Sequence, residues 1–521
     1  MLLEPANAAL LAAGCGAVYL TVYILYQRYL HPLAKYPGPL LASVTDLWQV
    51  YQFLSLKQPY TLTELHQQYG PVVRYGPDKL SITYEEAVPI IYQSASRTLP
   101  KTDFYNAFGG AHPNVFGTTD EAHHSVRRRH MSHAFSMTSI KDMEQYLDEN
   151  ISILRANILK ACHTGQAFDL KEMLHGYVID VLGELAFSKS FELQLTGDRS
   201  RVPPVKEHTL LGSVLGSWPS ATAWLKWLLP KLPISAVQNL FEGRRKCAEL
   251  ASQSVARRLT DVKLEDGSTG LEKTQRKDLL TTLIRAKDPD TGARLTQTDL
   301  ETEAFGFIIA GTHTTMATTT LLFWNLLHNP TCMAQCTNEI INNLPPLDAA
   351  EAAYPITNLE SLLPYLRDCT KENYRVTPVF TMPLARRVTA PEGINIAGNH
   401  FPQGTSLAIC NHALHHSSDI WGSDHNLFDP SRWSDPATSS KSRILMHFGL
   451  GGRQCIGKTM ATTNILKVVT TLLRCFEFEL ADTGEKQAVE RGDFRGRLPP
   501  LISVGVSDLD GGLWVRARER E

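Results

Sequence analysis

The sequence predicts a mainly α-helical domain with small β-sheets, placed behind one N-terminal membrane-spanning helix. Three observations predict it. From Pro5 to Gln27 no side chain is charged. Over much of Pro113 to Pro378, apolar residues recur three and four apart, the period of helices with one buried face. Strand-like alternation is confined to Val72–Tyr84, Ala385–Leu407 and Leu498–Val515.

The uncharged run comes first. Its core, Ala8 to Tyr26, would span roughly 28 Å as a helix, close to the ~30 Å of a hydrocarbon layer. Tyr19, Tyr23 and Tyr26 gather toward one end, as interfacial aromatics do. Arg28, His31 and Lys35 follow while only Glu4 precedes, so the C-terminal side is expected in the cytosol. A cleaved signal peptide would carry a basic start and a shorter apolar run. Pro32, Pro37 and Pro39 then make a stiff exit, because proline disfavours helix in the residue before it. The expected organisation is an anchor over 1–30, a hinge at 32–39, and one domain over 31–521. No second apolar run is long enough to span, so a single pass is expected.

Composition excludes several classes. Of 521 residues, 43% are apolar and 20% charged, which rules out a disordered chain. A net charge of −2, from 51 basic and 53 acidic residues, disfavours a nucleic-acid binder. The nine cysteines form no C-x-x-C pair, so a zinc ribbon or thioredoxin-type motif is absent and reduced thiols are expected. Cys332 and Cys336 lie one helical turn apart, but two thiols alone make a poor metal site.

Helices are expected at Leu147–Cys162, Lys171–Phe187 and Asp278–Lys287, and a charged surface loop at Lys263–Lys277. The longest helix starts near Thr296, where Thr296 and Asp299 fit a capping box, and ends before Asn329-Pro330. Its middle, Ala310-Gly311-Thr312-His313-Thr314-Thr315, is rich in weak helix formers whose hydroxyls compete for carbonyls. Such a segment marks either a small-molecule site or a plain glycine contact between helices.

The segment that carries chemistry is Phe448-Gly-Leu-Gly451-Gly-Arg453-Gln-Cys455-Ile-Gly457-Lys458. Glycines let backbone N–H groups converge on a sulfur, and the helix expected from Cys455 onward favours thiolate over thiol. Cys455 therefore reads as a thiolate held for metal ligation or nucleophilic attack.

These residues fill every fixed position of F-x-x-G-x-R-x-C-x-G, the haem-binding signature of the cytochrome P-450 superfamily. The chain resembles membrane-anchored, fungal-type members over nearly its whole length. Glu372-Asn-Tyr-Arg375 matches the family's E-x-x-R, Pro430-Ser-Arg432-Trp433 its P-x-R-W element, and Ala310-Gly311-x-x-Thr314-Thr315 its oxygen-binding helix. His124-Ser-Val-Arg127-Arg128 sits where the family has W/H-x-x-x-R.

The resemblance implies haem b ligated by Cys455, within a loop that includes Phe448, Gly451 and Gly457. His124, Arg128 and Arg453 are implied at the haem propionates, with Arg387 joining them. Glu372, Arg375 and Arg432 are implied to form a structural ion network. Thr314 is implied to hold water and pass protons toward oxygen. The family usually has an acid just before that threonine, and here it is His313. His313 replaces the acid in the relay, contacts a polar substrate, or is tolerated because water or substrate supplies the path. His447, where the family often has proline, has no account in sequence. Phe307, Ala310, Val379 and Phe380, with the Phe104–Phe116 stretch, are expected to line an apolar pocket. The Arg127-Arg128-Arg129 run is either solvated or part of a docking face. The Trp218–Leu232 stretch either touches the membrane surface or packs as an ordinary helix.

The function so implied is a monooxygenase acting on a lipophilic secondary metabolite at the endoplasmic reticulum membrane. Electrons would come from NADPH through a cytochrome P-450 reductase, with cytochrome b5 as a further candidate partner. A benzoate-type aromatic hydroxylase is the alternative substrate class. A reductase-independent isomerase or dehydratase, and a haem-binding protein without chemistry, are the competing functions.

Overall fold

The computed structural model describes residues 5–93, 99–109, 112–267, 276–288, 291–348 and 351–520. Pro5–Leu25 is a helix, and a wide turn over Tyr26–Leu30 continues it. The apolar segment Ala9–Leu30 has a mean hydropathy of 1.8, and its residues from Ala9 to Val22 are exposed. Its base is clamped to the domain. The buried Arg74 guanidinium donates to Gln27 O at 2.8 Å, to Gln27 Oε1 at 2.7 Å and to Pro77 O at 2.6 Å. The proline-rich exit docks on the same strand, with Arg74 N donating to Pro37 O at 2.7 Å. Gly38 is needed there, since a Cβ would stand 2.1 Å from Arg74 O.

The domain has a helical core and small sheets at its edges. The long helix is two pieces, Gln297–Gly311 and His313–Leu327, broken at Thr312 (φ −84°, ψ −73°). It begins at the expected capping box, with Asp299 N donating to Thr296 Oγ1 at 3.2 Å and Thr296 N to Asp299 Oδ2 at 2.9 Å. It packs against Leu170–Phe187, Ser235–Gly267, Pro364–Val376 and Lys458–Cys475, so its middle lies at the centre of the domain. Gly311 faces Leu182, whose Cδ1 would be 2.6 Å from a Cβ placed on it, so the glycine-contact reading of this segment also holds.

A four-stranded sheet runs in the order Val72–Gly76, Lys79–Ile82, Ser406–Ile409, Arg386–Arg387. The C-terminal hairpin pairs Leu501–Ser503 with Ser507–Leu509. Two strands were not expected: Phe476–Leu480, whose alternation Phe-Glu-Phe-Glu-Leu is a strand signal that was missed and which pairs with Trp514–Glu519, and the two-residue Phe168–Asp169. Lys263–Gly267 is the end of the Ser235–Gly267 helix rather than loop; a charged helix end and a charged loop look alike in sequence. Residues 268–275 of that expected loop lie outside the described residues. The Thr222–Leu228 helix packs Leu225 against the aromatic cluster around Phe104 while leaving Trp224 and Trp227 55% and 60% exposed, so both readings of this stretch have support.

Arg74→Met leaves buried acceptors at the anchor base without their donor, each worth roughly 1–3 kcal/mol. Chemical denaturation of the detergent-solubilised full chain should show a loss of about 2–4 kcal/mol. The loss should shrink in a Gln27→Ala background, because that change already removes one of the two hydrogen bonds the residues share.

Candidate active site

Cys455 lies between the turn Gly451–Arg453 and the helix Lys458–Cys475. The loop is closed by Cys455 N donating to Phe448 O at 2.8 Å and Gln454 N donating to Gly451 O at 3.0 Å. Gly451 has φ +67°, and a Cβ there would meet Tyr92 O at 2.1 Å, so this turn accepts only glycine. Burial pushes the Cys455 thiol above its ordinary range, against the opposing pull of the Gly457 and Lys458 amides and Arg128. Cys455 is nonetheless exposed, and a coordinated metal ion would deprotonate its thiol outright. His447 now has an account. Its ring stacks on Tyr374 at 4.2 Å and meets Phe448 edge-on at 4.8 Å, which pins the loop to the Pro364–Val376 helix.

That helix carries a buried ion network. Glu372 and Arg375 side chains are fully buried and bonded at 2.7 and 3.0 Å. Arg432 Nε reaches Glu372 Oε1 at 2.9 Å, and its Nη2 reaches Asp424 Oδ2 at 3.0 Å. Arg375 also donates to the carbonyls of His415 (3.0 Å), His425 (2.6 Å) and Leu427 (2.9 Å). His415 Nε2 in turn accepts from Met446 N at 3.2 Å, next to the cysteine loop.

A second group is cationic. Burial pushes His124 to about 3, helped by Arg453, Lys101, Arg128 and Arg386. Burial also lowers Lys101 well below its usual range, with Arg386 and Arg453 adding to it and Glu121 opposing. Arg453 pairs with Glu121 at 2.8 Å and donates to Thr118 O at 3.0 Å. Arg128 donates to Gln454 O at 2.6 Å. Arg387 is not in this group. It pairs with Asp78 at the surface and donates to Gly404 O at 2.6 Å. Its neighbour Arg386 is buried instead, and Arg386 Nη1 has no hydrogen-bond partner. Adjacent strand residues face opposite sides, so choosing one position late put the wrong arginine inside. Lys101 and Arg386 were missed; the bridge between their backbones, Lys101↔Arg386, has no signature in sequence. The Arg127–Arg129 run is divided too: Arg127 turns inward to Asp299, Arg128 to the cysteine loop and Arg129 to Asp288. It is neither a solvated face nor a docking face as a unit.

These residues fit a haem. A sulfur ligand lies in a glycine loop, and a buried cation group with an orphaned guanidinium nitrogen awaits carboxylates, which arginine binds through two parallel hydrogen bonds.

The broken helix supplies the opposite wall. Gly306, Ala310 and Thr314, four apart, are the residues of one stripe that are not buried. Thr314 Oγ1 donates to Ala310 O at 2.7 Å. Phe307 is off this stripe: it is buried and packs on Phe135 at 5.8 Å. His313 also leaves the stripe, with Nε2 3.3 Å from Asp508 Oδ2. Val379 is 1% exposed and belongs to the core, whereas Phe380 is partly exposed and meets Phe116 at 6.1 Å. Phe104, Tyr105 and Phe108 extend this aromatic cluster. Asn114 and Val115 seat it on the helix, Val115 N donating to the buried Glu303 at 3.1 Å. Residues 110 and 111 of the expected pocket stretch lie outside the described residues.

Two substitutions separate the arginines. Arg386→Ala should lower the haem content of the purified protein several-fold, while Arg387→Ala should retain it, both read from the haem-to-protein absorbance ratio. Glu372→Gln leaves two buried guanidinium groups uncompensated, which costs about 3–5 kcal/mol. Thermal unfolding should detect that loss along with loss of bound haem.

Residues 37–504 match the cytochrome P-450 family profile. The chain is 32% identical to the cytochrome P-450 monooxygenase gsfF of Penicillium aethiopicum over 534 residues, covering 96% of this chain and 99% of the relative. It is 29% identical to the benzoate 4-monooxygenase bphA of Aspergillus niger, over 92% of this chain and 96% of the relative. It is 28% identical to the pisatin demethylase of Fusarium vanettenii, over 89% of this chain and 88% of the relative. With its cysteine loop, its buried ion network and its broken central helix, this chain belongs to the cytochrome P-450 family.

Proposed function

We propose that the protein is a membrane-anchored haem-thiolate monooxygenase that inserts one oxygen atom from O2 into a lipophilic small molecule of secondary metabolism. The observation that carries this reading is the pairing of Cys455 in its glycine loop with a helix broken at Thr312. Residues 1–30 serve as anchor and 31–521 as the catalytic domain. The endoplasmic reticulum membrane is the site. Exposed Trp224, Trp227, Leu40 and Leu41 support contact of the domain itself with the lipid surface. Electrons come from NADPH through a cytochrome P-450 reductase, with cytochrome b5 as an accessory donor.

Cys455 would hold the haem iron through its sulfur, while His124, Arg128, Arg453, Arg386 and Lys101 would hold the propionates. The haem, when bound, supplies oxygen activation, and thiolate ligation favours O–O cleavage. The protein's part is orientation and proton supply. Phe448, clasped between His447 and Tyr374, keeps the sulfur in place. Thr314 Oγ1, on the open stripe, holds water by hydrogen bonds and passes its proton inward. His313 serves that step through its neighbours rather than by entering the pocket, since its ring faces Asp508. Phe116 and Phe380 exclude water and seat the apolar substrate. Their aromatic cluster also supports a second reading, a benzoate-type aromatic hydroxylase.

The carbon monoxide difference spectrum of reduced microsomes should show a thiolate-type Soret band. Cys455→Ala should lose it, and a histidine-type band in the wild type would overturn the assignment. With reductase and NADPH, a panel of aliphatic lipophiles and aromatic acids should yield hydroxylated product from one class. Product formed without NADPH would favour an isomerase instead.

A further inference from the structure

The carboxylate of Asp508, on the C-terminal hairpin, gathers cationic groups from three separate helices. Lys206 Nζ, from Val205–Ser217, lies 2.6 Å from its Oδ2. Lys171 Nζ, from Leu170–Phe187, lies 3.2 Å from its Oδ1, and His313 Nε2 lies 3.3 Å from its Oδ2. The side chains of Asp508 and His313 are 1% and 4% exposed, whereas that of Lys206 is 41% exposed. Burial alone would raise Asp508, but His313, Lys206 and Lys171 together hold it well below the carboxylate range. It is therefore a fixed negative charge. Burial lowers the His313 ring against the opposing pull of Asp508, and the nearby His175 is pushed by burial to about 4.

Geometry gives this contact a consequence. His313 is the first residue after the break at Thr312. A broken helix can resume at many rotations about its axis, and a buried ring held by a fixed charge selects one of them. Consecutive helical residues point about 100° apart, so turning His313 onto Asp508 turns Thr314 away from it, onto the stripe of Gly306 and Ala310. The hairpin strand that bears Asp508 also holds the substrate wall. Ser507 N donates to Val379 O at 2.7 Å, and Val506 bridges Phe380.

We propose that Asp508 is a positioning residue: through His313 it sets the rotation that presents Thr314, and it locks that turn to the Val506–Phe380 wall. Substrate on the wall and the Thr314 hydroxyl then keep one mutual geometry. The effect on turnover rests on the monooxygenase reading; the effect on the helix does not.

The test uses full-length, haem-loaded protein. Hydrogen exchange of residues 308–318 is measured in the resting state, and peroxide released per NADPH is measured with reductase. Asp508→Asn, nearly isosteric but uncharged, should keep the thiolate-type carbon monoxide band. It should exchange several-fold faster across 308–318 and release several-fold more peroxide. Asp508→Glu should restore most of both. Wild-type exchange in Asp508→Asn would overturn the proposal, and so would faster exchange with wild-type peroxide yield in an active enzyme. Should Asp508→Asn not fold, His313→Phe removes the pair from the other side and must show the same exchange increase. A wild type that consumes no NADPH removes the monooxygenase reading, while the exchange comparison still decides the role of Asp508 in the helix.

Discussion

Glu372 is the charge on which the rest of this structure depends. It is a fully buried carboxylate facing two guanidinium groups. Burying three charges costs several kcal/mol per ion, and only complete hydrogen bonding offsets that cost. Here it is complete. Arg375 spends its remaining donors on three carbonyls between His415 and Leu427. The network thus fixes, beside the buried Trp421, the segment that leads to the cysteine loop. From that segment His415 reaches Met446, and from the same helix Tyr374 stacks on His447. The position of the Cys455 sulfur is thereby inherited from a salt bridge rather than from the amides beside it.

The two sides of the site are built by different physics. On the cysteine side Arg375 and Arg432 are paired with Glu372 and Arg375 with carbonyls, while Nδ1 of His415, His425 and His447 has no hydrogen-bond partner. The group around His124 is built mainly of basic side chains. Its members lower one another, and one guanidinium nitrogen is left alone inside the protein. A buried unpartnered donor normally costs about 1–3 kcal/mol. A dianionic partner would relieve that cost, and its binding would then add to the stability of the folded domain.

Much of this was legible in sequence, for reasons that differ by residue. The Cys455 loop is read from spacing because its chemistry is local: glycines, sulfur and helix start lie within a few positions. Thr296 and Asp299 are legible for the same reason, since a capping box closes over four residues. Sequence reasoning slipped where a face had to be chosen. Arg387 and Arg386 differ by one strand position and so by one side of a sheet. Phe307 and Gly306 differ by one helical step, which carries Phe307 onto Phe135 and out of the pocket wall. Partners distant in the chain left no local trace. Asp508 lies almost two hundred residues beyond His313, and nothing near either residue announces the other.

The departure at His313 shows how such a distance is bridged. An acid on the helix would carry its own charge into the centre of the domain. With histidine there, the charge resides on Asp508, on a hairpin, where two lysines from other helices neutralise it. The helix then contributes only a ring at its break. This arrangement moves the ionic cost away from the oxygen side of the site while keeping a rigid contact to it. It also makes the rotation of Thr314 depend on the hairpin. On the proposed role of Asp508, a change in the Val506–Phe380 wall would reach the Thr314 hydroxyl through one carboxylate, with no wire of intervening residues required.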